Sequence, residues 1–295
     1  MKIKRGRFYL GRVIKMGTLD QDKLMDAIVE SIAVTLGKFD WTITDVQDGR
    51  GNELPYVFGM LSKSTKEGHV TVVDTDTKSQ VESVTENLLI ASSPFIYLPD
   101  YSGIAYMHVW NAIQSDIFPK RFKDIIEATY GNFFVDCSIE PISDYRAFSA
   151  KLKGLEKITE LRARVHPPNP LFGRLWEPLK KYIGKRNASE ISVREAREDA
   201  GGLYTKLPEH IEGILKSEHY EPEKEIDITD AAILMAADGY GMGTVTGHDG
   251  IEEVVIRTSD TQKSFLFSKE PDPIELAKVA NERFKHISKE RDMGH

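Results

Sequence analysis

Two arginines in residues 158–166 have a spacing that suits contact with phosphate groups. The segment reads as a β-strand, and side chains in a strand point alternately to its two faces. Arg162 and Arg164 therefore share one face, and the apolar residues beside them point to the other. Residues two apart in a strand lie about 7 Å apart, which is close to the phosphate spacing along one nucleic-acid strand. This pattern predicts contact with a nucleic-acid backbone.

A second group of basic residues follows and is interleaved with aromatic rings. Pro178 suits the first turn of a helix, along which Leu179 and Ile183 would face inward and the lysines outward. Cations near rings such as Trp176 and Tyr182 are what backbone binding with some base stacking requires. The predicted nucleic-acid-binding residues are Arg162, Arg164, Arg174, Lys180, Lys181, Lys185 and Arg186.

The same residues have a second interpretation as a solvated charged face. Residues 218–230 are acidic and could pair with them, as could a partner subunit. The chain has 39 Lys and Arg against 46 Asp and Glu, a formal net charge of -7, which argues against uniform coating of DNA or RNA. Charge is unevenly distributed, however, and local clustering matters more than the sum.

Other motifs favour structural roles. The run Gly-Tyr-Gly-Met-Gly at 239–243 lacks the Gly-Lys-Ser/Thr ending of a phosphate-binding loop and follows a helix, so helix-capping and hairpin glycines explain it. Cys137 lies on the apolar face of an alternating strand and is predicted to pack in the core.

Nearby carboxylates leave an enzymatic alternative open. Metal-dependent nucleases gather acidic groups around Mg²⁺, and Asp136, Glu140 and Asp144 lie close in sequence. Exposed acids at a strand edge explain them as well, and the histidines show no ligand spacing. We predict no metal and no cofactor, and we favour a protein that is not an enzyme.

The order of predicted elements indicates the fold class. Alternating strands and amphipathic helices predict an α+β protein with mixed or antiparallel sheets and helices packed on one face. The prolines Pro167, Pro168 and Pro170 end a strand and mark a soft boundary. The prediction is therefore an N-terminal α+β domain at 1–166 and a C-terminal α+β domain at 167–295.

Composition also bears on location. Cys137 is the only cysteine among 295 residues, so no internal disulfide can form, which fits a reducing compartment. The basic start lacks the unbroken apolar run of a signal peptide, and no stretch is long and apolar enough to span a membrane. We expect a cytoplasmic protein without direct membrane insertion.

Several segments together resemble a known family. The chain contains SPFIYLPD, GIAYMHVW, FFVDCSIEPI, LRARVHPPNP and EISVREAREDAGG in this order. This series resembles the RexA exclusion proteins of lambda-type phages and a related uncharacterised phage-defence family. The B subunit of the Kiwa system is a more distant likeness. The resemblance covers about residues 92–202 and includes no catalytic signature.

The resemblance implies a biological role that composition does not. It implies a homodimer that binds duplex DNA with little sequence preference and acts in phage exclusion or abortive infection, with a membrane-protein partner in the same system. It transfers no individual contact residue. Two alternatives stay open: a metal-dependent nuclease or toxin acting on nucleic acid, and a protein–protein interaction module of a defence complex.

Overall fold

The larger of the sheets is antiparallel throughout its pairings and has eight strands. A computed structural model describes residues 4–167, 171–197 and 201–294. The strands of this first sheet are β1 (Arg5–Gly17), β2 (Val34–Leu36), β3 (Phe39–Asp48), β4 (Val57–Asp74), β5 (Ser79–Leu98), β6 (Gly103–Met107), β7 (Val135–Pro141) and, far along the chain, β13 (Ser264–Ser268). Their spatial order is β13-β1-β6-β5-β4-β3-β2, and β7 pairs with the end of β1.

Helices cover both faces of the first sheet. They are α1 (Gln21–Val29), α2 (Ile117–Thr129) and the long C-terminal helix α7 (Pro273–Glu290). In β5, alternation sends Phe95 and Tyr97 into the core formed with α1 and α2, and it sends Ile96 and Leu98 into the core formed with α7. The sheet is therefore a buried layer that can serve as a rigid base.

Strands β4 and β5 extend beyond their neighbours as a two-stranded arm, which we define as residues 65–90. Strand β3 pairs with β4 only as far as Ser64, whereas β4 and β5 remain paired to their turn. Val73 and Val84 are 67% and 59% exposed on this arm. The Lys-Glu-Gly sequence at 66–68 contains a glycine but forms continuous strand, because its partners on β5 complete the hydrogen-bonded ladder.

The second sheet has four strands in the order β10-β8-β11-β12, all antiparallel. These are β8 (Lys157–Val165), β10 (Ile191–Ala196), β11 (Gly241–Asp249) and β12 (Glu252–Arg257); a short pair, β9 (Phe172–Gly173) and β14 (Met293–Gly294), lies apart. One face is covered by α3 (Tyr145–Leu152), α4 (Glu177–Arg186), α5 (Leu207–Lys216) and α6 (Ile228–Met235).

The architecture confirms the predicted α+β class. Helices pack on one face of the second sheet, as predicted. In the first sheet, α1 and α2 cover one face and α7 covers the other. Helix α6 lies inside the protein. Its residues from Thr229 to Met235 are all buried, as expected of a helix with apolar residues on every side. It packs directly on β8.

The strand pairing crosses the predicted domain boundary. Strand β8 precedes Pro167 in the chain but pairs with β10 and β11, which follow it. Strand β13 lies late in the chain and completes the first sheet beside β1. Pro168 and Pro170 lie outside the described residues. The division into two folding units stays a prediction, but neither sheet is built from one side of the boundary alone.

Asp230, buried in the first turn of α6, predicts a pH-dependent stability. Burial raises the pKa of this carboxyl to about 6, although Thr205 and the Lys206 amide donate hydrogen bonds to it. The folded state thus keeps a proton that the unfolded chain releases, so stability falls as pH rises from about 4 to about 6.

The expected size of this effect is up to about 3 kcal/mol, because each pKa unit corresponds to about 1.4 kcal/mol. Urea unfolding of the wild type and of Asp230→Asn between pH 4 and 7.5 measures it. The difference in unfolding free energy between the two proteins should change across that window and level off above about pH 6.5. A difference independent of pH would contradict the buried protonated carboxyl.

No helix in the described parts of the chain combines the length and the apolar character needed to cross a membrane.

Candidate nucleic-acid interface

Strand β8 presents arginines on the open face of the second sheet. Leu161, Ala163 and Val165 are buried against the helices, so alternation directs Arg162 and Arg164 away from them. Both arginines are exposed. The sequence-based prediction for these two side chains agrees with their position.

The neighbouring strands add arginines to the same face. Residues directly opposite each other in antiparallel strands point to the same side. Arg194 on β10 lies opposite Arg162. On the other side, Thr244 of β11 lies opposite Arg162, and Arg257 of β12 lies opposite Thr244. We call Arg162, Arg164, Arg194 and Arg257 the arginine row. Adjacent strands are about 4.8 Å apart, so Arg162 and Arg257 lie roughly 10 Å apart at the backbone.

A shallow cavity of about 270 Å³ opens beside the arginine row. Guanidinium groups bind phosphate through paired, charge-assisted hydrogen bonds, and hydroxyl groups can donate further ones. The chemistry of the cavity therefore suits an oxyanion. The residues that line it are Arg162, Arg164, Met242, Gly243, Thr244, Arg257, Thr258 and Ser259.

The protein's own carboxylates neutralise the row only in part. Arg194 donates to Glu160 at 2.5 Å, and this hydrogen bond holds the pKa of Glu160 below its ordinary value. Arg164 lies 3.6 Å from Glu190. Exposed pairs of this type contribute about 0–1 kcal/mol, so a phosphate could displace them. No salt bridge joins Arg162 or Arg257 to a carboxylate within the described residues.

Arg174 has a different environment from the row. Its Nε donates to Asp292 at 2.8 Å and its Nη1 to Glu221 at 2.9 Å, while Nη2 donates to the Tyr220 carbonyl oxygen at 2.8 Å. The hydrogen bond to Glu221 is the main reason that the pKa of Arg174 is raised. All three guanidinium nitrogens of Arg174 thus already donate hydrogen bonds to residues from the C-terminal part of the chain.

The predicted lysines of α4 lie on the covered side of the second sheet. Leu179 and Ile183 pack in the same core as the buried face of β8, so the outward residues of α4 do not share the arginine row. Arg186 lies over the Tyr182 ring. The structure brings Arg162 and Arg164 together, and it separates them from Arg174 and from the α4 set of Lys180, Lys181, Lys185 and Arg186.

All four residues of the arginine row lie in the part of the chain that a family model matches. A family model described as a domain of unknown function, DUF4747, matches residues 22–285. The chain belongs to the DUF4747 family. A comparison with curated proteins finds no match. The resemblance to RexA-like proteins stays a prediction.

Sequence reasoning missed part of the row in this DUF4747 protein. Arg194 and Arg257 each occupy an outward position in a short alternating strand, which is a signal that a sequence can show. Their proximity to Arg162 depends on the order β10-β8-β11-β12, which no local pattern specifies.

The other candidate residues of the DUF4747 chain have structural surroundings. Asp136 forms an ion pair with Lys123, Asp144 caps the N-terminus of α3, and the side chain of Glu140 is buried. Cys137 is fully buried, and burial raises the pKa of its thiol. Among residues 4–167, 171–197 and 201–294, no group of three or more His, Cys, Asp or Glu side chains could hold a metal ion.

The glycine run in this DUF4747 protein shapes a turn. Residues Ala236–Tyr240 form a π-helical turn in which Gly239 has a φ of 89°. Gly241 follows at the start of β11, where the chain pairs closely with Val165. The glycines therefore let α6 pass directly into β11, as their interpretation as capping and hairpin residues implies.

Proposed function

We propose that this DUF4747 protein binds nucleic acid, with duplex DNA as the favoured form, through phosphate contacts made by the arginine row. The observation that supports this proposal is the row itself, which consists of exposed arginines from adjacent strands. They lie on a sheet face that no helix of the described residues covers. Backbone contacts of this kind position a protein on nucleic acid without reading sequence.

The remaining side chains on the open face favour tolerance of sequence. Strands β8, β10, β11 and β12 contain no Phe, Tyr or Trp, so they offer no ring on which a base could stack. Met242 and Val255 are partly exposed there and could contact sugars.

The biological setting is supported by the resemblance to RexA-like proteins alone. We propose on that basis a cytoplasmic homodimer that acts in phage exclusion or abortive infection together with a membrane-protein partner. Co-purification from cells and phage plating efficiency on strains with and without the gene test this part. An unchanged plating efficiency for all phages would argue against a defence role.

Titration of a labelled duplex at several salt concentrations tests DNA binding by the arginine row. If about four phosphates are engaged, log K should fall with log salt at a slope of roughly -3 to -4. Arg162→Ala/Arg164→Ala should reduce the slope by about 2 and weaken binding at least tenfold at 100 mM salt, for all sequences alike.

Lys180→Ala/Lys181→Ala removes the same charge from α4 and is the matched comparison. We expect it to keep most of the wild-type affinity, because α4 lies on the covered side of the sheet. Equal losses in the two double variants would remove the arginine row as the site. An absence of DNA binding by the wild type, combined with salt-sensitive self-association, would favour the interaction-module alternative.

A further inference from the structure

A cleft next to the arginine row has the features of a second site for phosphate. It has a volume of about 520 Å³ and lies where β1 and β13 of the first sheet meet α3 and the 3-10 turn Thr258–Thr261. Ser259 lines both this cleft and the cavity of the arginine row. A smaller cavity of about 240 Å³ continues from it and shares Asp144, Lys263 and Ser264.

Cationic side chains from distant parts of the chain converge on this cleft. Arg7 comes from β1, Lys151 from the end of α3, and Lys263 from the residue before β13. Arg146 and Arg283 line the adjoining cavity. The chain has a net charge of -7, so this concentration of positive charge runs against the overall balance.

The carboxylates of the same region already have partners. Asp144 accepts hydrogen bonds from the backbone amides of Arg146 and Ala147. Asp260 accepts from the backbone amide of Arg257, and Lys151 Nζ is 4.0 Å from it. An anion entering the cleft would therefore meet cations more readily than free carboxylates.

Arg7 and Lys263 are held in place within the cleft. Arg7 Nη1 donates to Ser264 Oγ at 2.9 Å, which leaves its other guanidinium donors for a ligand. Lys263 is 3.2 Å from Glu290, and both side chains are largely buried. Burial lowers the pKa of Lys263, so a bound anion would stabilise its charged form.

The cleft also contains groups that suit the uncharged parts of a nucleotide. Tyr9 lines it and offers an aromatic ring, on which a base can stack. Gln262 uses its Nε2 to donate to Leu10 O and to Tyr106 Oη, which fixes the side chain in one orientation. A volume of 520 Å³ lies in the range of about 300–1,000 Å³ typical of small-molecule sites.

We propose that this cleft binds a nucleotide unit, with Arg7, Lys151 and Lys263 on its phosphate and Tyr9 on its base. The unit is either part of the nucleic acid held by the arginine row, reached across Ser259, or a free nucleotide. The first source rests on the proposed function, and the second does not.

The experiment compares two ligands with two sets of variants. The ligands are labelled oligonucleotides, followed by anisotropy, and the mononucleotides ATP and GMP, followed by calorimetry. The cleft variant is Arg7→Ala/Lys151→Ala, supplemented by Lys151→Glu, which should fold because Lys151 is 45% exposed. The control is Lys120→Ala/Lys216→Ala, which removes two exposed lysines that line neither the cleft nor the adjoining cavity. Circular dichroism verifies that each variant is folded.

We expect the cleft variants, but not the control, to weaken binding at least fivefold. If the wild type binds no mononucleotide and the cleft variants bind oligonucleotides more weakly than the wild type, the site holds part of the strand bound at the arginine row. A loss of mononucleotide binding assigns it to a free nucleotide. The proposal is overturned if the wild type binds no mononucleotide and the cleft variants bind oligonucleotides normally. In that case Arg162→Ala/Arg164→Ala still reports separately on the arginine row.

Discussion

Arg291→Met will lower the free energy of unfolding by about 3–5 kcal/mol, because it leaves a buried carboxylate without its cation. Arg291 follows α7, and its Nη1 lies 2.6 Å from Asp238 Oδ1 in the turn before β11. The two side chains are only 1% and 3% exposed. The pair joins the end of the first sheet's helix to the second sheet, so its loss will destabilise the contact between them.

The surroundings of the pair explain why the loss will be large. Asp238 also accepts hydrogen bonds from Tyr145 Oη at 2.8 Å and from Trp176 Nε1 at 3.0 Å. These neutral donors remain in Arg291→Met but cannot balance a full charge in a dry site. The Arg291 guanidinium also lies over the Tyr145 ring at 4.0 Å, a contact that methionine does not replace.

Urea unfolding at pH 7 measures the effect, with Lys278→Ala as the control. Lys278 is 61% exposed on α7, and its loss should change stability by less than about 0.5 kcal/mol. The double variant Arg291→Met/Asp238→Asn should be more stable than Arg291→Met alone, because it removes the uncompensated charge. A double variant that is less stable than the single one would show that the cost does not come from the charge.

Gly241→Ala will destabilise the protein by about 2–3 kcal/mol, and we expect it also to weaken the proposed DNA binding. A Cβ atom built at Gly241 overlaps the carbonyl oxygen of Arg164 and comes within 2.8 Å of the Val165 Cα. Both contacts are backbone atoms, which cannot rotate away as a side chain can. The strand β11 must therefore shift relative to β8 and displace one end of the arginine row.

Gly184→Ala provides the matched control for this substitution. Gly184 lies in α4, and apart from its own residue, its chain neighbours and the backbone of the helix, no heavy atom lies within 4 Å of a Cβ built there. Alanine should stabilise that helix by about 0.5–1 kcal/mol relative to glycine. Thermal unfolding and DNA titration of the two variants then separate a general glycine effect from the close approach of β11 to β8. If Gly241→Ala unfolds at the same temperature as the wild type, β11 and β8 do not approach each other as closely at Gly241 as in this structure.

The sequence predicted local structure well where a pattern involves only neighbouring residues. Alternation in β8 predicted the exposed face of Arg162 and Arg164. Helical spacing correctly placed Leu179 and Ile183 inward on α4. The α+β class followed from the same patterns.

Relations between distant elements could not be predicted in the same way. Helical spacing shows which side of α4 is buried, but not which face of the sheet the helix covers. The sequence therefore grouped the α4 lysines with Arg162 and Arg164, whereas the helix lies on the other side of the sheet. Arg257 joins Arg162 only because β11 lies between β12 and β8. Arg7 lines the same cleft as Lys263 because β13 pairs with β1. That pairing joins residues separated by more than half of the chain.

The arm has a consequence for how the protein behaves in concentrated solution. Beyond Ser64, the outer edges of β4 and β5 carry backbone amide and carbonyl groups that pair with no other strand of the described chain. Such edges can template intermolecular sheets. Glu67 lies directly opposite Glu86 on the arm, so like charges make approaching ribbons repel one another. Raising the ionic strength screens that repulsion, and colloidal stability should then decline while the fold itself stays intact.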